Sequence, residues 1–324
     1  MVEIGYKLSS EEHRPNDLVR YAAMAEDAGF TFALISDHYH PWIDTQGQSP
    51  FVWCVIGGVA QSTKRLRLGT GVTCPTVRMH PAIVAQATAT AAAMLEGRFF
   101  FGVGAGENLN EHVVGQGWPE TEVRQERLRE AVEVIRMLWR GGYQSRHGRH
   151  YTVENARLYT LPQTLPPLMI AAGGPKSAQA AATLGDGLIG TSPDKEMLSK
   201  FDAAGGRGKP KIAEITVCWA PDERSARRTA HQWWPTAAME SSLAWELPLP
   251  KHFEDVAKLV TEDAVAETII CGPDVERHVD GIKKYADAGY DQICVHHVGP
   301  DQQGCLKFYE HDVLPRLRKL RAAA

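Results

Sequence analysis

The sequence predicts a (β/α)8 barrel whose working face is the C-terminal end of its strands. Three observations carry that expectation. Strand-like and helix-like segments alternate almost throughout, as parallel βα units require, and eight such units can be counted. The 324 residues, 44% of them hydrophobic, suffice for one large core. Residues able to do chemistry gather at the ends of the predicted strands, where barrel enzymes place them. A doubly wound sheet is the rival architecture.

Taken in order, the predicted strands cover residues 4–8, 32–36, 66–72, 99–103, 168–172, 188–191, 212–219 and 292–296. Between them, apolar residues recur at helical spacing, for example over 17–28 and over 121–139, where Val123, Leu128, Val132, Ile135 and Leu138 share a face. The chain reads as one barrel domain over 1–324 with two departures from the repeat. A small hairpin is expected near 149–161, and an insertion rich in Pro and Leu near 241–266 is expected to cap the barrel mouth.

A net charge of −4 and the lack of a long basic run argue against nucleic acid or an anionic membrane as partner, leaving a small molecule. The six cysteines are scattered, without a CxxC pair, as in a cytosolic protein with buried thiols. Neither a leader nor a bilayer-length apolar stretch is evident, so a soluble, unexported protein is expected.

The second strand delivers Asp37, His38 and Trp42 together, with Pro41 stopping regular structure. A histidine there can change charge near neutral pH, although a capping Asp beside a hydrogen-bonded His is the plainer alternative. The fourth strand runs into Gly102, Gly104 and Gly106 and then Glu107. Its spacing is not the helix-opening GxGxxG of dinucleotide folds; missing side chains instead let a flat ring approach. Gly173, Gly174 and Pro175 lie between a strand and an Ala-rich helix, a plausible phosphate seat because helix N-termini offer free N–H groups. The pair His38 and His40 also suits a metal-dependent hydrolase. Strands five and six lack the further histidines such a centre needs, so no metal is expected. No GxSxG elbow supports a covalent mechanism.

Together, Gly5-Tyr6-Lys7, Ser36-Asp37-His38 with Pro41-Trp42, Leu68-Gly69-Thr70, Gly102 to Glu107 with Leu109-Asn110, Ala171 to Pro175, and Gly185-Asp186-Gly187 with Thr191-Ser192 resemble the luciferase-like superfamily. Within it the likeness is to the coenzyme F420-dependent dehydrogenases, in the branch of the glucose-6-phosphate dehydrogenases. That resemblance implies a deazaflavin in the barrel mouth that takes a hydride at C5 from a hydroxyl-bearing carbon. It makes His38 the general base, Trp42 a cover over the reacting centre, Glu107 a proton holder at ring N1 and Glu11 a second acid near the substrate. Asp37, Gly71, Val72, Cys74, Asn110, Gly173, Gly174, Pro175 and Thr191 match cofactor-binding positions, with a non-proline cis peptide at Gly71–Val72. A homodimer through the early helices is also implied.

The chain departs from the sugar-phosphate pattern at two cation positions, where Asp194 and Glu267 stand. Acids there would repel a dianionic phosphate, although Lys195, Lys251 or Lys258 could compensate. With Trp118, Trp219, Trp233, Trp234 and Trp245 expected near the mouth, an uncharged sugar or alcohol is the predicted substrate, with Trp42, Lys195 and Trp245 lining its site. A sugar phosphate, or an FMN-dependent monooxygenase reaction, are the alternatives.

Overall fold

The computed structural model describes residues 2–322. Eight parallel strands close into a barrel: β1 (Glu3–Leu8), β2 (Phe32–Ile35), β3 (Arg67–Thr70), β4 (Phe99–Val103), β5 (Leu168–Ala171), β6 (Gly187–Gly190), β7 (Lys211–Cys218) and β8 (Gln292–His297). Each strand pairs with the next in chain order, β6 pairs with β7, and β8 returns to β1, so no edge is left open. The (β/α)8 reading is therefore correct. Strands such as β2 are buried on both faces, one toward the barrel axis and one toward the helices, which is why they read as apolar runs.

Phe32, Leu34, Phe100, Met169, Ile189, Ile212 and Cys294 fill the barrel interior. Two ring positions depend on glycine: a Cβ at Gly69 would sit within 2.4 Å of three Phe100 ring atoms, and one at Gly5 within 2.6 Å of three of Phe32. A second, larger core lies between strands and surrounding helices, including α1 (Pro15–Ala28), α2 (Val52–Ser62), α3 (Pro81–Leu95), α5 (Thr121–Trp139) and α6 (Pro175–Leu184). A four-residue helix α4 (Asn108–Glu111) follows β4 directly.

Several expected boundaries shift. The third strand ends at Thr70; the Gly71–Val72 peptide that follows is cis. The hairpin pairs Gln144–His147 with Thr152–Ala156, earlier than the expected stretch, because Gly141 and Gly142, both at positive φ, turn the chain directly after α5. After α7 (Lys195–Phe201) and α8 (Glu223–Trp233), the insertion forms α9 (Ser241–Glu246), α10 (Pro250–Ala257) and α11 (Glu262–Thr268). Phe253 of α10 is fully buried against Ile43, Leu109 and Trp42, which brings the insertion over the loops after β2 and β4.

Trp219 is not at the mouth. Its ring stacks on Phe308 at 6.0 Å, against the helix Gln302–Phe308 that packs outside the barrel.

Candidate active site

His38 is the first residue after β2 that is partly open, with a 12% exposed side chain, while Ser36 and Asp37 before it are buried. Its Nδ1 lies 3.2 Å from Glu11 Oε1 and its Nε2 3.6 Å from Glu107 Oε1. Glu11 is rigidly held: its other oxygen accepts from Ser36 (2.6 Å) and Ser9 (3.0 Å). Burial works against its charge, but His38, Lys7 and the Ser36 hydroxyl outweigh that and lower its pKa. With Glu11 at Nδ1, the other nitrogen, Nε2, faces Glu107. Trp42 packs edge-on to the imidazole at 5.2 Å and is backed by Phe253 at 5.3 Å.

Asn110 of α4 ties this loop to the fourth strand. Its side-chain oxygen accepts from Tyr39 N–H (2.7 Å) and His40 N–H (2.9 Å), and its amide donates to Glu107 Oε1 (2.5 Å). His40 instead hydrogen-bonds the Leu109 carbonyl through Nδ1 at 2.9 Å. It therefore braces the loop rather than joining His38 in a metal pair. Among the described residues no group of three or more His, Cys, Asp or Glu side chains is placed to hold a metal ion.

Asp37 points away from His38 into a buried ion cluster. Its carboxylate accepts from Arg78 (2.8 Å) and Thr73 (2.8 Å), and Arg78 Nε lies 3.6 Å from Glu111 Oε1. Glu111 also accepts from the Val77 and Arg78 backbone N–H groups, yet burial pushes its pKa up to about 7. Cys74 is buried beside this cluster, and burial pushes its thiol well above the usual range. Asp37 thus supports the site through Arg78 instead of presenting a free carboxylate.

The ends of β3 and β4 pack too closely to admit side chains at two glycines. A Cβ at Gly102 would meet the Thr70 carbonyl oxygen at 2.0 Å, and one at Gly104 would meet Val72 Cγ2 at 2.9 Å. At the next strand end, the N–H groups of Gly173 and Gly174 are not free as expected; both reach Ser177 Oγ at 3.2 Å. The donors left to a ligand are the first-turn N–H groups of Lys176 and Ser177, behind Pro175. A Cβ at Gly174 would meet nothing, and at Gly173 only the Trp245 ring at 3.9 Å, so Trp245 of α9 overhangs this turn. Glu246 beside it is anchored to Arg124 at 3.1 Å, and its carbonyl accepts from Asn108 at 2.9 Å. Thr191 is exposed, its carbonyl accepting from Tyr285 OH. Lys195 is exposed at the start of α7, and Asp194 caps that helix by accepting from Met197 N–H at 3.0 Å.

A second buried set joins Lys7, Glu214, His296 and Glu12. Lys7 Nζ donates to Glu214 (2.8 Å), Glu214 lies 3.4 Å from His296 Nδ1, and Glu12 lies 3.6 Å from His296 Nε2. Burial alone would lower the histidine pKa, but the flanking carboxylates push it up to about 9. A folded-state value above the ordinary 6.5 means stability that is complete below pH 6.5 and is lost as pH rises toward 9, on the order of 3 kcal/mol. Urea midpoints measured across that window are expected to fall more for the wild type than for His296→Gln. Parallel curves would refute the assignment.

The luciferase-like monooxygenase family matches residues 1–292. The chain belongs to that family. Among its relatives, an F420-dependent glucose-6-phosphate dehydrogenase of Mycobacterium avium (strain 104) is 38% identical, covering 98% of this chain and 99% of its own. Another of that name, from Segniliparus rotundus, is 36% identical over the same shares. A solved structure of an F420-dependent secondary alcohol dehydrogenase in complex with an F420–acetone adduct is 32% identical, with a TM-score of 0.89 over 96% of this chain and 98% of that one.

Within this luciferase-like barrel the structure brings Glu11, His38, Trp42, Glu107 and Asn110 together, and sets Gly71, Val72 and Cys74 along the neighbouring wall. Sequence reasoning missed Arg78, Thr73 and Glu111. The available signal was Arg78 standing between Val77 and Met79, a lone cation in an apolar stretch near a buried acid.

Proposed function

We propose that this chain is a coenzyme F420-dependent dehydrogenase that oxidises an uncharged sugar or alcohol at a hydroxyl-bearing carbon. The observation that carries the proposal is His38, set between Glu11 Oε1 at 3.2 Å from Nδ1 and Glu107 Oε1 at 3.6 Å from Nε2, with Trp42 edge-on to its ring at 5.2 Å. Its relatives' names share the coenzyme and give glucose 6-phosphate or a secondary alcohol as the donor. The mouth suits such a group at the turn before α6, where the open space beside Gly174 leaves room for a phosphate. Gly71, Val72, Cys74, Asn110 and Glu107 would hold the ring, and the turn Gly173-Gly174-Pro175, through the Lys176 and Ser177 N–H groups that follow it, with Thr191, the phosphate arm.

When bound, the deazaflavin supplies a two-electron acceptor for the hydride. His38 takes the hydroxyl proton at Nε2, and Glu11 stabilises the resulting imidazolium at Nδ1. Trp42 and Phe253 exclude water from the reacting carbon. Asn110 fixes the Glu107 carboxyl, which holds a proton at ring N1.

The uncharged substrate follows from the cations. Lys251 and Lys258 both pair with Asp255 at 2.6 Å, Asp194 caps α7, and Lys195 is exposed at the start of that helix. The kcat/KM for a neutral sugar or secondary alcohol is expected to exceed that for glucose 6-phosphate by about a hundredfold, about 3 kcal/mol of transition-state discrimination. Equal or reversed values would sink the substrate assignment.

Two finer features belong to this reading. The groove between α2 and α3, of 280 Å³, is lined by Phe51, Ile83 and Met94, all exposed, which supports pairing of two copies there. Sedimentation equilibrium is expected to give a dimer, and a monomer for Ile83→Glu; a monomeric wild type would exclude it. Among the described residues no helix is long and apolar enough to cross a membrane. The six cysteines are unpaired, which supports a reducing, cytoplasmic setting; recovery from a secreted fraction would overturn it.

A further inference from the structure

The buried set at the ends of β1, β7 and β8 has no part in the proton transfer at His38. Lys7, Glu214 and His296 point into the barrel because they follow Gly5, Ile212 and Cys294 at a spacing of two residues along their strands. They lie one layer above the apolar interior. Charges in such a layer are costly to desolvate, and well-packed apolar side chains would be no less stable there.

The set ends on the presumed ring site. Besides Glu214, the Lys7 ammonium donates to the Gly71 carbonyl at 2.9 Å, and Gly71 forms the wall beside Val72 and Gly104. Glu214 faces both cations, Lys7 through one oxygen and His296 through the other. Burial would raise its pKa, but Lys7 and His296 hold it down at about 2. Glu12 completes the set, its free oxygen accepting from Gly299 N–H at 2.8 Å, and Trp234 closes it edge-on to His296 at 4.6 Å. Glu11 and Cys294 are the other titratable groups whose charge Lys7 feels.

We propose that Lys7 and Glu214 together set the charge behind the deazaflavin ring, Lys7 favouring the reduced coenzyme and Glu214 tempering that preference. This rests on the F420 reading above. Reduction adds an electron pair to the ring, and a fixed cation in a partly desolvated wall stabilises the added negative charge. Glu214 opposes it with a charge of the other sign. Substitutions at the two positions therefore act in opposite directions, which lost packing would not do.

The test is an anaerobic fluorescence titration of oxidised and of reduced coenzyme F420 into wild type, Lys7→Met and Glu214→Gln. The readout is the ratio of the two Kd values, reduced over oxidised. Lys7→Met is expected to raise that ratio about tenfold and Glu214→Gln to lower it about tenfold, each shift being about 30 mV in a two-electron couple. Glu214→Gln preserves size and shape, so it decides the matter alone should Lys7→Met not fold. An unchanged ratio in Glu214→Gln, or shifts of the same sign in both variants, would overturn the proposal even with tight binding. Failure of the wild type to bind either form would overturn the F420 reading and this inference with it.

Discussion

His38→Ala is expected to lower kcat by a factor of about 10² to 10⁴ while leaving the affinity for oxidised coenzyme F420 nearly unchanged. The size of the loss follows from what the imidazole does. Hydride cannot leave an alcohol carbon easily while the hydroxyl keeps its proton, and in the proposed reading His38 Nε2 is the base, with Nδ1 3.2 Å from Glu11 Oε1. The neighbouring acid cannot take over, because Glu11 is bound by Ser9 and Ser36 and lies behind the ring of His38. Binding survives because the proposed cofactor contacts come mainly from backbone at Gly71 and Val72 and from the Lys176 and Ser177 N–H groups at the turn before α6. Fluorescence titration and single-turnover absorbance separate the two effects. Loss of binding in parallel with turnover would show that His38 only shapes the pocket, and undiminished kcat would remove it from the chemistry.

Arg78→Met is expected to destabilise the fold by about 3 to 5 kcal/mol, the usual consequence of removing one partner from a buried ion set. Arg78 stands between Asp37 and Glu111, all three of them nearly inaccessible. Without the guanidinium, two buried carboxyls remain without their shared counter-charge. Glu111, already pushed up to about 7, can escape by holding its proton, whereas Asp37 sits among groups arranged for its charged form. For a chain of this size the melting temperature is expected to drop by about 4 to 7 °C. Adding Asp37→Asn to Arg78→Met should recover part of the loss, since it removes the stranded charge. A melting temperature within about 1 °C of wild type for the single variant would contradict the assignment.

The strands were legible because each buries both faces, so that β2 and β4 stand out as apolar runs between helices with one polar face. The cluster of His38, Trp42 and Glu107 was legible for a related reason: each follows a strand end directly, and a parallel barrel brings strand ends together whatever the intervening helices do. Arg78 and Glu111 were not, because they meet Asp37 only after the loop beyond β3 and helix α4 fold over the end of β2. No local pattern encodes that convergence. Lys7 and His296 were legible near strand ends, but Glu214 and the set the three form were hidden differently. Each sits in an inward position of a strand, where sequence pattern predicts an apolar side chain, and only the register between β1, β8 and β7 places them side by side. Trp219 was misplaced at the mouth because strand alternation, with Ile212 and Glu214 inward, sets it outward with Ala213, Ile215 and Val217, where its indole stacks on Phe308.

The central claim is that an alcohol carbon loses a hydride to coenzyme F420 in this barrel. Anaerobic mixing of the purified protein with oxidised coenzyme F420 and, in parallel, glucose, glucose 6-phosphate and 2-propanol, followed through the deazaflavin absorbance, tests it most directly. The account predicts bleaching with a neutral sugar or alcohol, and little with the phosphate ester at equal concentration. Retained absorbance with every donor, or bleaching by the phosphate ester alone, would contradict it.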